Sequence, residues 1–282
     1  MKKTIQLIPK NVKFPEARIL GKEQRELYNE VDRKTAENFG KDSLAYKTIL
    51  NGINTKDVTG SQFFWNTNLG IYLPAKQKVV SLEDMEEIND LDESFFKVFY
   101  SDAPEIILRT ETPSWKNNEH ILKNLVKQVK KEKYEFSSEN PLRISGLNLV
   151  KDKNSKNFYG LFLKIGNDTK ITNDERFAYS NNGKEIPFGK KTKEIYTREN
   201  GLSRCYLGRY SVLDSFNDSL RVCSYLAFSN SDGRVVLVDA EGVALKNLEV
   251  EKVINERIIK RTQGTTKIQR NGWFSYLENS EK

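Results

Sequence analysis

The stretch NNEHILKNLVKQVKKEKYEFSSENPLRISGLNLV, residues 117–150, decides the fold. In its first half Ile121, Leu122, Leu125, Val126 and Val129 recur at helical spacing and make one apolar stripe, with Asn117 or Asn118 placed to cap the start. Lys123, Lys127, Lys130 and Lys131 fill the opposite face. The composition then shifts at Ser137-Ser-Glu-Asn-Pro141, and from Leu142 onward short β-prone runs replace the helical period. A helix handing over to strands at this point predicts an α+β chain. A mixed α/β N-terminal region covers 1–136, and a mainly antiparallel β-rich region with a terminal helix covers 137–282, the two being separate or one continuous domain.

Working outward toward the N-terminus, residues 4–8 read as a short strand that Pro9 stops. A helix follows over about 22–38, with Leu27, Tyr28 and Val31 in phase and Gly40 as its stop. Residues 62–73, QFFWNTNLGIYL, are aromatic and β-prone up to Pro74. Ser81-Leu-Glu-Asp84 is a capping-box pattern that opens a short acidic helix. Residues 95–100 and 104–109 read as two strands joined at Ser101-Asp102-Ala103.

Toward the C-terminus, strands are expected at 142–150 and 158–165, separated by a polar turn over 151–157. Residues 166–200 read as a long loop or irregular hairpin, of a length that is uncommon unless it serves function. Strands resume near 204–213 and 221–228, and Asp232-Gly233 is a hairpin signal before 235–238. Val250, Val253, Ile254 and Ile258 mark the last helix, ending near Gly264.

The chain has 282 residues, 37% hydrophobic and 11% aromatic, which is enough apolar material for a real core and too much for a disordered chain. The apolar run at the N-terminus ends at Pro9, too early for a secretory signal, and no stretch approaches the roughly 18 apolar residues of a membrane span. Two cysteines, Cys205 and Cys223, rule out a disulfide framework and are expected as separate buried thiols. A soluble, cytoplasmic protein without a membrane partner is the expectation. Net charge is +7 with a pI of 9.1, but residues 81–93 hold seven acids and no base, so removing them doubles the net positive charge of the remainder. The chain is segregated by sign.

Enzyme sites can be argued away one by one. Gly183 to Thr192 resembles a phosphate loop only loosely: five residues rather than four separate its glycines, and Lys191 intervenes before Thr192. Asp239 and Glu241 end a hydrophobic strand as in two-metal exonucleases. That strand comes too late, with few acids left downstream. His120, the single histidine, leaves any His-based triad or zinc site without spacing to support it. Asp152-Lys-Asn154 begins like a calcium loop but puts Lys156 where an oxygen ligand belongs. No cofactor, metal or catalytic residue is therefore expected.

Three basic segments remain: the helix with Lys123, Lys127, Lys130 and Lys131; the loop with Lys190, Lys191 and Lys193 beside Phe188 and Tyr196; and the C-terminal stretch. That last stretch carries Arg257, Lys260, Arg261, Lys267 and Arg270 before Trp273, Phe274 and Tyr276. Cations neutralise phosphates and aromatics stack on unpaired bases. The expectation is a non-enzymatic binding or assembly protein with a basic surface that contacts nucleic acid. The alternatives are a protein–protein or self-associating structural component, in which the acidic 81–93 block meets a basic patch, and a metal-dependent hydrolase built on Asp239 and Glu241.

Overall fold

A computed structural model describes residues 13–14, 17–92, 94–154, 157–178, 199–208, 220–239 and 243–244. The order of elements is β1 (Lys13–Phe14), β2 (Arg18–Ile19), α1 (Arg25–Phe39), α2 (Leu44–Ile49), α3 (Phe63–Tyr72), β3 (Gln77–Val79), α4 (Leu82–Leu91), β4 (Tyr100–Leu108) and α5 (Glu119–Lys131). There follow β5 (Leu142–Ser145), β6 (Asn148–Lys151), β7 (Leu161–Lys164), β8 (Lys170–Asn173), β9 (Leu202–Gly208), β10 (Leu220–Cys223), β11 (Val236–Asp239) and β12 (Val243–Ala244). Among the described residues the fold is α+β, with antiparallel sheets and no closed barrel. The strand expected at 4–8 and the terminal helix lie outside the described residues.

The first helix forms where the periodicity puts it. α1 buries Tyr28, Val31, Thr35 and Phe39 along one face, then stops at Gly40, whose φ of 79° is the left-handed backbone that glycine adopts without a Cβ clash.

Residues 62–73 correct the strand expectation, because they form α3. Gln62 caps this helix: its side-chain oxygen accepts from Phe64 N (2.9 Å) and Trp65 N (3.4 Å). The same amide donates to the Thr48 and Ile49 carbonyls at the end of α2 (2.8 and 2.9 Å). All seven residues from Phe63 to Leu69 are buried, so this part of the helix has no exposed face and shows no amphipathic period. A short run that is buried all round looks alike as strand or helix, and here the caps decide.

The main sheet has the order β10-β9-β4-β5-β8. It takes β4 from before residue 137 and its other four strands from after it. The two strands expected at 95–100 and 104–109 are instead one strand, β4, with a register shift between Asp102 and Ile106. Pro104 sits in that bulge, where its missing N–H costs no ladder bond even in a central strand. The bulge is secured from α3 and the residue before its cap: Asp102 N donates to Ser61 Oγ (2.9 Å), and Asn66 Nδ2 donates to the Asp102 carbonyl (2.5 Å). The Asp102 carboxylate is paired with Arg204, both side chains being fully buried.

Two further expectations change. Residues 142–150 split at Gly146 into β5 and β6, which belong to different sheets. Asp232-Gly233 does not turn a hairpin, since β10 lies in the main sheet and β11 pairs with β2 and β3. Gly233 instead bridges to Tyr100 and accepts from Gly60 N (2.8 Å).

Alternation along the strands sorts the core into two layers. Ile106 and Leu108 of β4, with Leu142, Ile144 and Leu202, face the cluster formed by α1, α2, α3 and α5. Ala103 and Ile107, with Cys205 and Leu207, face the cluster of Leu82, Met85 and Ile88 from α4. The acidic helix and the basic helix thus lie against opposite faces of the sheet.

Candidate nucleic-acid interface

α5 forms as its sequence predicts, with Ile121, Leu122, Leu125, Val126 and Val129 buried. It is tied to β7 by one side chain. Gln128 Nε2 donates to the Leu163 carbonyl (2.8 Å), and Gln128 Oε1 accepts from Ile165 N (2.9 Å), so its amide stands in for a strand backbone. At 100° per residue, Lys116, His120, Lys123, Lys127, Lys130 and Lys131 all fall on the half of the helix turned away from the core, and all are exposed. The row is about 20 Å long.

Lys123 is paired with Glu119 (2.6 Å), which holds the Glu119 carboxyl below its ordinary range, and Lys130 is paired with Glu111 (2.6 Å). Both pairs are solvent-exposed, and such pairs are weak enough for a stronger anion to displace. No ion pair among the described residues involves Lys116, Lys127, Lys131 or Lys133.

A feature absent from the sequence reading stands at the head of this row. Trp115, just before Lys116, contacts Tyr225 (ring centroids 4.4 Å apart) and Phe158 (5.2 Å). Phe158 and Tyr225 are 52% and 47% exposed, high for aromatic side chains that each pack on a third ring. Asn118 holds the cluster together. Its side chain, expected as a helix cap, makes no cap bond. It is fully buried, donates to the Ser224 carbonyl (2.9 Å) and the Leu202 carbonyl (3.4 Å), and accepts from the Tyr159 hydroxyl (2.5 Å). One amide therefore fixes the turn carrying Phe158, the segment carrying Tyr225 and strand β9 to the start of α5. Gly160, at a φ of 67°, lets the Phe158 turn approach α2: a Cβ there would come within 2.7 Å of Ala45 N.

The other sequence candidates fare differently. Lys190, Lys191, Lys193, Arg257, Lys260, Arg261, Lys267, Arg270 and the loop at 183–192 lie outside the described residues, as does Glu241. Asp239 ends β11 in register with Gln77. Asp152 is buried and serves a turn, accepting from Asn154 N (2.9 Å), Asn157 N (3.2 Å) and Asn157 Nδ2 (3.0 Å). Cys205 stands opposite Val222 and Arg204 opposite Cys223, so the two thiols project to opposite faces of the sheet and remain free. Burial pushes both thiols above their ordinary range. Among the described residues no group of three His, Cys, Asp or Glu side chains is placed to hold a metal ion, and no helix is long and apolar enough to cross a membrane.

The acidic block supplies α4, and three of its acids, Glu83, Asp84 and Glu86, have cationic partners among the described residues. Ser81 and Asp84 complete the capping box, with Ser81 N donating to Asp84 Oδ2 (2.9 Å), and Lys78 pairs with Asp84 (2.8 Å). Glu83 pairs with Arg143 and Glu86 with Arg176, whose guanidinium also holds Asp174. Glu105, reaching across from β4, accepts from Leu82 N at the helix start (3.2 Å) and lies 3.6 Å from Arg143. Burial pushes the Glu105 carboxyl up to about 7, with Arg143 opposing. Compared with known proteins, the chain matches no family model, no curated protein and no solved structure.

Proposed function

We propose that this chain is a non-enzymatic binding protein whose basic α5 face contacts the phosphates of a nucleic acid. The observation that carries the reading is the lysine row itself. It is seated rigidly on β7 through Gln128, and Lys116, Lys127 and Lys131 have no carboxylate partner among the described residues. An array of exposed cations on a rigid helix, only some of them paired, attracts a polyanion and releases its counterions on binding. The basic segments at 184–198 and 252–270 belong to the same proposal, but α5 alone supports it. The self-association alternative draws less support, because Glu83, Asp84 and Glu86 of the acidic helix already have cationic partners in the chain.

The test is titration of the full chain with labelled nucleic acid at about 50 mM and about 200 mM salt. Wild-type affinity is expected to fall steeply with salt. Lys127→Glu/Lys131→Glu is expected to weaken binding at low salt by tenfold or more and to flatten the salt dependence. An unchanged affinity in that variant overturns the proposal.

A further inference from the structure

Resting on that reading, we infer that the ligand of the α5 face is a single-stranded nucleic acid, whose unpaired bases stack on Phe158 and Tyr225 while its phosphates follow the lysine row. The position of the aromatic cluster is the starting point. Trp115 is the residue before Lys116, the first cation of the row, and Asn118 fixes both Tyr159 and Ser224 to the start of the helix. Phe158 and Tyr225 therefore flank Trp115 at one end of the row.

Their exposure needs a physical account. A soluble surface commonly carries scattered single apolar residues, but three touching aromatics with two of them about half exposed form a preformed apolar platform. The platform is also rigid. Trp115 and Tyr159 anchor it to the main core, and Trp115 touches Tyr159 as well (6.1 Å), so the rings do not have to be ordered when a ligand arrives.

What covers such a platform follows from its neighbours. A purely apolar partner would have to strip water from Lys116 without offering it an anion. A polyanion with flat apolar faces satisfies both halves at once, and a single strand is such a molecule. A duplex is not, because its base faces are already stacked on each other and only its phosphates remain for the lysines. The same platform is indifferent to base identity, since every base has a π-face, so binding should be nearly independent of sequence.

Three proteins in one titration test this: wild type, Phe158→Ala/Tyr225→Ala, and Lys127→Glu/Lys131→Glu, each as the full chain. Each is titrated with an oligothymidylate of about 20 nucleotides and with a duplex of the same length. Wild type is expected to favour the single strand. The aromatic variant should lose about tenfold or more on the single strand. Its duplex affinity and salt dependence should stay as in wild type. Because both substituted side chains are half exposed, the melting temperature of that variant reports directly whether the fold has survived.

Equal affinity of wild type for strand and duplex, with no effect of the aromatic variant, overturns the inference and leaves the basic-surface reading standing. No binding of either probe overturns both. If the aromatic variant keeps wild-type affinity but changes the molecular mass seen by light scattering, the platform is a protein interface and the inference is wrong.

Discussion

α4 and α5 are two amphipathic helices of similar length, of opposite charge, on opposite faces of one sheet. Their charges have opposite fates. Glu83 and Glu86 of α4 reach β5 and the turn after β8, where Arg143 and Arg176 receive them together with Glu105 and Asp174. The lysines of α5 turn toward water, and those that are paired have only exposed partners within reach. Charge that is matched inside the molecule builds structure and is unavailable to a partner. Charge left uncompensated on a rigid face is available, and contributes little to stability.

That contrast can be broken most forcibly at Arg143. Its Nε lies 3.6 Å from Glu105 and 3.7 Å from Asp174, both nearly buried, and it pairs with Glu83. Arg143→Met should leave the buried Glu105 without its paired cation, while Asp174 keeps Arg176, and destabilise the fold by about 3 kcal/mol, read from chemical denaturation. A loss under about 1 kcal/mol would place these charges in the same class as exposed pairs.

A smaller effect comes from pH. The buried Glu105 carboxyl titrates at about 7 in the fold, against an ordinary value near 4.5. Between those values the folded state holds a proton that the unfolded chain has released, so this group makes stability fall as pH rises from about 4.5 to about 7. Glu105→Gln, neutral throughout, should remove that contribution and shift the pH profile of the melting temperature across this window. Superimposable profiles would show that Arg143 keeps Glu105 ionised in the fold.

The smallest expected change sharpens the comparison from the other side. Lys127→Ala/Lys131→Ala should alter stability by no more than about 0.5 kcal/mol. A clear loss of stability would mean that these lysines are structural, as Arg143 is.

The same contrast shows how far the sequence can be read. The stripe from Ile121 to Val129 and the Ser81–Asp84 cap are local, each complete within a turn or two of helix, so their residues suffice to predict them. The strand reading at 62–73 and the division of 95–109 into two strands failed for the opposite reason. α3 is capped by Gln62 in concert with α2, and β4 runs unbroken through Pro104 because Ser61 and Asn66 hold its bulge from outside the sheet. At the site, the lysine row was visible as a periodicity. The platform was not, since Trp115, Phe158 and Tyr225 lie in three separate segments and no spacing links them.

By itself, then, the sequence determined an α+β chain with one acidic and one basic amphipathic helix, because capping and hydrophobic periodicity act over a few residues. The tertiary structure decided which helix's charges meet arginines of the chain, which helix's lysines stay exposed, and which aromatics stand beside those lysines. Those outcomes depend on contacts between distant segments: Arg143 and Arg176 reaching α4, and the buried amide of Asn118 drawing two turns and a strand to the head of α5.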